Sequence, residues 1–464
     1  MTKAKKTPFQ RLAAHPVRSI TLGFFSLVLM GTLLLCLPIA NQDSGAALID
    51  HIFTAVSSVC VTGLTTITVA DQYTIFGQIV ILIMIQMGGL GLMTIFAYFM
   101  RYLGQKMSIS EKIIVQESLN KSNLRDMPNF LSMVFKVTVI FEFVGLVLLS
   151  FHFIPQYGWL QGLYYSLFHS VSAFCNAGID VLGNNSFQDL TLMPLLNFTI
   201  ISLIITGGLG FSVWWDISKV YQPVIFKIKD WKKTYSKLQV QSKIAIKMTV
   251  ILLTVGTLLF FLIEFNNVNT IGNMNISSKF MTSFFQSTTL RTAGFSTINL
   301  AHSMDASKFF MLLFMLIGGS AGGTAGGIKV TTFFVIIIFV ISQLKGSNEL
   351  VSYKKTINLS IIRKALAVVF LALSFIFTGI FFLAIFEPFS LTELIFEAVS
   401  AFATVGLSLG ITSSLTIGGK IIIILLMFIG RIGSVSLIYS FMNKYSNKRA
   451  KTEIHYPDAD VLVG

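Results

Sequence analysis

Acidic residues are scarce in this 464-residue chain: 20 Asp and Glu face 34 Lys and Arg, and charged residues of both signs make up only 12%. Soluble domains carry about 25% charged residues. So little polar surface cannot cover a 54% apolar fraction in water, and a soluble globular protein is excluded. Cysteine is as sparse. Cys36, Cys60 and Cys175 are odd in number and lack metal-ligand spacing, so neither a disulfide framework nor a zinc site is indicated. A buried enzyme site would need a convergent nucleophile and base or a metal cluster. None stands near the glycine stretches described below, so an enzyme is not expected.

The apolar residues fall in eight long runs, at about 20–40, 73–100, 130–154, 193–215, 244–265, 309–342, 361–386 and 418–442. Each holds roughly 20 apolar residues, enough for a helix to cross a hydrocarbon core of about 30 Å. The first run is too long for a signal-peptide core and no A-x-A site follows it, so it reads as an uncleaved span. Basic residues alternate with the runs. They crowd the N-terminal arm (Lys3 to Arg18), three loops (Arg101 to Arg125, Lys219 to Lys247, Lys345 to Lys364) and the tail (Lys444 to Lys451). The alternate segments, about 38–72, 154–192, 266–305 and 387–416, hold only Lys279 and Arg291. Lys and Arg concentrate in cytoplasmic loops, so both termini are expected in the cytoplasm. The net charge of +14 is then mainly topology, with membrane lipid as a partner and no nucleic acid.

Glycine spacing reveals more. The stretches 53–63, 168–178, 284–294 and 396–406 each begin with Phe and end with Gly. A hydroxyl residue (Ser57, Ser172, Thr288, Ser400) lies six before each glycine, and an apolar one (Leu64, Ile179, Phe295, Leu407) follows it. Gly63, Gly178, Gly294 and Gly406 are 115, 116 and 112 residues apart, near one quarter of the chain, which marks an internal repeat. A second signature follows 24 to 29 residues later: Gly88-Gly89-Leu90-Gly91, Gly207-Gly208-Leu209-Gly210, the run from Gly318 to Gly327, and Gly430-Arg431-Ile432-Gly433. Each unit reads as span, re-entrant half-helix, glycine-turned return and span. Small residues that let membrane helices pack closely account for the second signature, but not for four re-entrant stretches.

Non-helical backbone at membrane depth survives only where it is buried in protein or lines an aqueous path. Four such segments around an axis bring four glycine-flanked backbones together. Glycine tolerates φ values closed to other residues, so successive carbonyls can turn to the axis and replace a cation's hydration shell. The flanking residues differ among copies (Val61-Thr62, Asn176-Ala177, Thr292-Ala293, Thr404-Val405), so backbone rather than side chains is expected to bind the ion. The half-helices turn their C-terminal ends, which carry partial negative charge, toward the inner pathway. Four same-direction units argue against an alternating-access carrier of inverted repeats.

These motifs resemble the Trk/Ktr/HKT potassium transporters in their ion-translocating membrane subunit, over about residues 15–445. The carrying residues are Val61-Thr62-Gly63-Leu64, Asn176-Ala177-Gly178-Ile179, Arg291-Thr292-Ala293-Gly294-Phe295 and Thr404-Val405-Gly406-Leu407. With them go Gly88 to Thr94 and the run Gly318 to Lys329. The length and the position of the first span are similar to the Ktr branch. The resemblance implies an all-α polytopic membrane protein of four M1-P-M2 repeats, with eight transmembrane helices and four re-entrant pore loops around one pseudo-fourfold pore. The expected divisions are a cytoplasmic N-terminal arm 1–18, repeats 19–115, 116–230, 231–350 and 351–445, and a cytoplasmic C-terminal tail 446–464. It implies potassium uptake across a bacterial inner (plasma) membrane, with transported K⁺ as the only metal, at the filter. It also implies a homodimer, stimulation by sodium, and a cytosolic nucleotide-binding regulatory ring docking on the basic loops. Serine at the first filter glycine accompanies sodium permeation in plant relatives. All four positions here are glycine, which resembles the potassium-selective pattern; a sodium-permeable or Na/K-coupled transporter on the same scaffold is the alternative.

No cofactor is expected in the chain, and any nucleotide belongs to the partner. Gly322 to Gly327 imitates a phosphate loop, but Ile328 intervenes before Lys329 and the segment lies in the membrane. A helix of Gly318, Gly319, Gly322, Gly323, Gly326 and Gly327 within ten residues is not stable, so 318–329 is expected to unwind at mid-membrane. The resemblance makes this loop the gate. Lys329 and Arg431 lie deep in apolar surroundings, where an unpaired charge costs about 2.5–3.5 kcal/mol. Arg431 is expected to hold the loop through its carbonyls; Lys329 acts with it or snorkels to the cytoplasm. Arg291 is expected to point away from the axis and brace the filter through a carbonyl or an acidic partner, Glu393 or Glu397. Cys60 and Cys175 are read as packing residues, and Glu142 as a helix contact or coupling-ion site. His51, His152 and His169 are read as interfacial rather than metal-binding.

Overall fold

A backbone surrounded by lipid has no water to bond, so its polar groups pair within each segment and helices result. The computed structural model describes residues 16–42, 45–91, 94–95, 97–98, 127–183, 186–221, 235–347 and 349–433. Residues 1–15 of the arm, motif residues Leu92 and Met93, the basic loop Arg101 to Arg125, the middle of Lys219 to Lys247 and the chain from 434 on lie outside them.

The first quarter contains α1 (Pro16–Leu35), the half-length α2 (Leu48–Cys60) and α3 (Ile75–Leu90). The second contains α4 (Met127–Tyr157), α5 (Trp159–Cys175), α6 (Pro194–Gly208) and α7 (Phe211–Tyr221). The third contains α8 (Val240–Glu264), α9 (Ile276–Thr289), α10 (Asp305–Leu316) and α11 (Val330–Leu344). A hairpin, β1 (Val351–Ser352) and β2 (Lys355–Thr356), leads to α12 (Leu359–Phe386), α13 (Leu391–Ala403) and α14 (Ile417–Ile432). The hairpin corrects the all-α expectation in a small way. Tyr353 and Lys354 both take positive φ at its tip, as the tight turn between twisted strands requires.

Among the described residues, the eight apolar runs do not all form uninterrupted helices. Among the described residues, four unbroken helices are long and apolar enough to cross a membrane: α1, α4, α8 and α12, the first of each quarter. The second run of each quarter breaks at its glycines. α3 stops before Gly91 (φ +83°) and α14 before Gly433 (φ +93°). α6 and α7 meet at a bend of 88°, where Gly210 takes φ +89°. Residues 317–329 interrupt the sixth run, as expected. Glycine at positive φ ends the helical ladder, which explains the three unexpected breaks.

Packing follows a cycle. Within each quarter the half-helix lies against the long first helix, and α3, α6, α10 and α14 lie against the next half-helix: α3 on α5, α6 on α9, α10 on α13, and α14 on α2. The last contact closes the chain on its first quarter. Polar residues collect inside, with Ser57, Ser58, Ser170, Ser172, Gln286, Ser287, Thr288 and Ser400 buried on the half-helices. The long helices turn Phe25, Leu29, Phe143, Phe151, Leu262, Phe370 and Phe377 outward. Apolar faces this extensive need lipid around them, and the chain is membrane-embedded.

At the end where the half-helices begin, carboxylates tie the long helices to the second spans. Glu387 accepts from the main-chain N–H and hydroxyl of Thr416, the N-cap of α14. Glu264 accepts from the N–H of Met304, the N-cap of α10. Negative charge at a helix N-terminus is favourable.

Candidate ion pathway

The four glycine-ended stretches come together. α2, α5 and α13 end alike: Val61, Asn176 and Thr404 adopt left-handed conformations at φ +56°, +60° and +51°. The next N–H in each, of Thr62, Ala177 and Val405, reaches back to the carbonyl of Ser57, Ser172 or Ser400 at 2.8 Å. This is the hydrogen-bond pattern of a Schellman cap, which ordinarily ends on glycine. The third copy turns differently. The N–H of Ala293 bonds to the Thr289 carbonyl at 3.0 Å, yet Thr292 still reaches φ +66°. Left-handed geometry is tolerable for Asn176 but strained for β-branched Val61, Thr292 and Thr404, at about 1–3 kcal/mol each.

Two residues on, Gly63, Gly178, Gly294 and Gly406 take φ of +99°, +66°, +83° and +91°. They form a closed ring in chain order. A methyl group on Gly63 would lie closer than 3.0 Å to the Ala177 carbonyl oxygen, one on Gly178 to that of Ala293, one on Gly294 to that of Val405, and one on Gly406 to that of Thr62. Each strand's glycine thus makes room for its neighbour's carbonyl. Ser57 and Ser400 hydroxyls support the ring by accepting from the N–H groups of Gly63 and Gly406. The hydroxyls of Thr62, Thr292 and Thr404 are buried without a hydrogen-bond partner among the described residues.

The span glycines press on the half-helix ends. A methyl on Gly88 would strike the Val59 carbonyl, one on Gly207 that of Phe174, and one on Gly430 that of Phe402, each four residues before the ring glycine. The third quarter departs: Gly318 faces Gly326 of its own loop. That loop, containing Gly318, Gly319, Gly322, Gly323, Gly326 and Gly327, is pinned at its base by Gly318 N–H to Ile328 and Ile328 N–H to Leu316. Its chain also bonds to the bend between α6 and α7: Ser320 N–H reaches the Gly208 carbonyl and Phe211 N–H the Gly322 carbonyl, both at 2.9 Å.

Arg431 lies among these segments. Its guanidinium donates to the Thr324 carbonyl of the loop and to the Gly88 carbonyl of α3. Lys329 does not extend outward; its Nζ turns back to the Ala325 carbonyl at 2.7 Å. The acidic partner considered for Arg291 is absent. Glu393 caps its own helix with Ser390, and Glu397 accepts from Ser408 and Thr412. Local hydroxyls and N–H groups reach these carboxylates first. Arg291 is buried, and its Nε and Nη2 have no partner among the described residues. Its main-chain carbonyl instead accepts from Asn176 Nδ2 at 3.4 Å.

His51 and His169 are buried rather than interfacial. His51 bonds to the Tyr73 hydroxyl and His169 to the Tyr165 carbonyl, because aromatic neighbours enclose both rings. Cys60 and Cys175 are buried and free. The Glu142 carbonyl accepts from Ser170, and its Oε1 is buried without a partner among the described residues. No group of three or more metal-ligating side chains occurs among those residues.

One pair escaped the sequence reading. Lys420, at the start of α14, reaches Asp50 on α2 at 2.7 Å, and Thr66 donates to the same carboxylate oxygen. Burial pushes the Asp50 carboxyl up, but Lys420 and Thr66 outweigh it and leave it below the ordinary carboxylate value. The available signal was a lone lysine at the edge of the last apolar run.

The TrkH family, described as cation transport proteins, matches residues 3–450. The chain is 38% identical to the Ktr system potassium uptake protein B of Bacillus subtilis, over all of both chains. It is 36% identical to the potassium/sodium uptake protein NtpJ of Enterococcus hirae, again over all of both. With the Ktr system potassium uptake protein B of Vibrio alginolyticus it shares 35%, covering 96% of this chain and 94% of that one. Among solved structures, the crystal structure of the potassium transporter TrkH from Vibrio parahaemolyticus has a similar fold. Its TM-score is 0.68 at 17% identity, covering 90% of this chain and 84% of that one.

Proposed function

Because the chain belongs to the TrkH family of cation transport proteins, we propose that it takes up potassium through the ring of Gly63, Gly178, Gly294 and Gly406. It is a transporter and not an enzyme. The carrying observation is the ring itself: four positive-φ glycines in chain order, each beside the next strand's carbonyl. Backbone carbonyls from Val61-Thr62, Asn176-Ala177, Thr292-Ala293 and Thr404-Val405 stand in for the water of a dehydrated K⁺. The cyclic packing of half-helices and spans supports four M1-P-M2 units around a single pore, with the divisions given above.

The loop 318–329 serves as the gate. It rests against the ends of α5 and α13, and Arg431 and Lys329 occupy its carbonyls. Charge-assisted hydrogen bonds are about twice as strong as neutral ones, so the guanidinium favours the closed loop. The termini face the cytoplasm, where a nucleotide-binding ring docks on the basic segments, and two chains form a dimer. Potassium uptake in a K⁺-auxotrophic host, with and without sodium, tests the reading. Growth on limiting K⁺ is expected, and uptake of Na⁺ with no preference for K⁺ overturns it. The sodium reading has one observation in its favour, the relative named for potassium/sodium uptake.

A further inference from the structure

We propose that Thr324 latches the gate loop to the filter, so that release of the loop changes ion selectivity together with flux. Thr324 and Asn176 are each 1% exposed. The Thr324 hydroxyl has two acceptors: the Phe174 carbonyl at 3.2 Å, near the end of α5, and Asn176 Oδ1 at 3.3 Å. Asn176 is the left-handed residue that turns α5 into the second filter strand. Its Nδ2 crosses to the Arg291 carbonyl, one residue before Thr292 of the third strand. On the other side, the Thr324 main-chain carbonyl receives Arg431 of α14, which also holds Gly88 of α3. One loop residue therefore joins elements from all four quarters, two of them through the turn that begins a filter strand.

The asymmetry matters. Asn176 is the only one of the four left-handed residues whose amide can link the loop to a neighbouring strand. Val61 has no polar side chain, and the Thr292 and Thr404 hydroxyls have no partner among the described residues. If the loop leaves, the Thr324 hydroxyl leaves with it, and Asn176 loses the contact that fixes its amide toward Arg291. A buried amide oxygen without a donor reorients toward any other donor. The second and third strands then lose this brace between them and keep only the hydroxyl bonds of Ser172 to the Ile179 carbonyl and Thr289 to the Phe295 carbonyl, while the first and fourth keep serine supports on the ring glycines themselves.

This inference rests on the filter and gate reading above, and the test separates the two. The full chain is reconstituted in proteoliposomes, and Rb⁺ flux and Rb⁺/Na⁺ discrimination are measured. A wild type without Rb⁺ preference overturns the filter reading and the latch with it. Given a selective wild type, Thr324→Val keeps the shape, removes the hydroxyl and is expected to raise flux and lower discrimination, each several-fold. Thr324→Ser restores the hydroxyl and both properties. Asn176→Gly keeps the left-handed turn, loses the amide and is expected to lower discrimination, with no further loss in the double variant. Thr324→Val with raised flux and unchanged discrimination shows an uncoupled gate and overturns the latch. So do unchanged or reduced flux, and additive losses in the double variant.

Discussion

The ring glycines and the span glycines recur at nearly the same spacing, yet their structures diverge. Gly63, Gly178, Gly294 and Gly406 all take positive φ, and each lies beside the next strand's carbonyl. The span glycines end α3, bend α6 into α7 by 88°, open a loop between α10 and α11, and end α14. Even their shared task, packing on a half-helix carbonyl, holds at Gly88, Gly207 and Gly430 and fails at Gly318. A spherical ion on an axis needs equivalent ligands from all sides, whereas a gate needs one side able to move. On the proposed reading, symmetry is kept at the filter, and control is placed where symmetry is broken.

Replacing a glycine of each kind breaks this comparison most strongly. Gly406→Ala puts a methyl group against the Thr62 carbonyl at φ +91°, so a carbonyl of the ring must shift. K⁺ uptake is expected to fall at least about tenfold, equivalent to about 1.4 kcal/mol. Gly63→Ser meets the Ala177 carbonyl and is expected to relax K⁺/Na⁺ discrimination, read by ion competition. Gly88→Ala instead overpacks a helix contact and is expected to lower thermal stability by about 1–3 kcal/mol, with discrimination retained in the folded fraction. Equal loss of selectivity from both kinds would erase the distinction.

Gate variants come next. Arg431→Gln weakens charged bonds to Thr324 and Gly88 that are worth about 1.5–3 kcal/mol each. Basal flux is expected to rise about tenfold or more, with a smaller loss of discrimination as the Thr324 contact loosens. Deleting 319–326 is expected to raise flux or remove its regulation; flux that stays gated contradicts the loop's role. A pure loss of K⁺/Na⁺ discrimination in Arg431→Gln would contradict the division between ring and gate.

Strain in the ring predicts a smaller effect, partly cancelled by burial. Val61→Gly relieves a β-branched residue at φ +56°, at about 1–3 kcal/mol, but removes a side chain only 1% exposed, at about 1.5–3 kcal/mol, so the stability of purified protein is expected to change by no more than about 1 kcal/mol. Thr62 then gains freedom, and discrimination is expected to weaken slightly.

The smallest effect concerns the seam between the last and first quarters. Asp50→Asn discards the charge that pairs with Lys420 while keeping an acceptor oxygen, and is expected to cost about 0.5 kcal/mol of stability. Because the Asp50 value is lowered by folding, its contribution is present above the unfolded value of about 3.9 and fades as pH falls through the folded value. Melting curves at neutral and acidic pH should therefore converge for wild type and variant at low pH. A constant gap would assign the stability to another group.

Much of this was legible in advance. Hydropathy located the long helices because lipid forces apolar length, and glycine spacing located the ring because glycine takes positive φ without strain and leaves room for a neighbouring carbonyl. The breaks at Gly91 and Gly210 were harder to see, since one small-residue pattern serves both close packing and helix termination. Left-handed Val61 and Thr404 carry no local signal: β-branched residues disfavour that geometry, and tertiary closure imposes it. The Arg291 expectation failed on Glu397 because Ser408 and Thr412, eleven and fifteen residues along the chain, claim that carboxylate. The link from Asn176 to Thr324 joins residues 148 apart through one hydroxyl, which no sequence period encodes.

Anomalous scattering from Tl⁺, a K⁺ surrogate, in crystals of the full chain tests the central claim most directly. Peaks are expected on the axis between Gly63, Gly178, Gly294 and Gly406, bounded by the carbonyls of Thr62, Ala177, Ala293 and Val405, with none beside Lys329 or Arg431. Thallium bound elsewhere in the chain, with the glycine ring empty, would contradict the account.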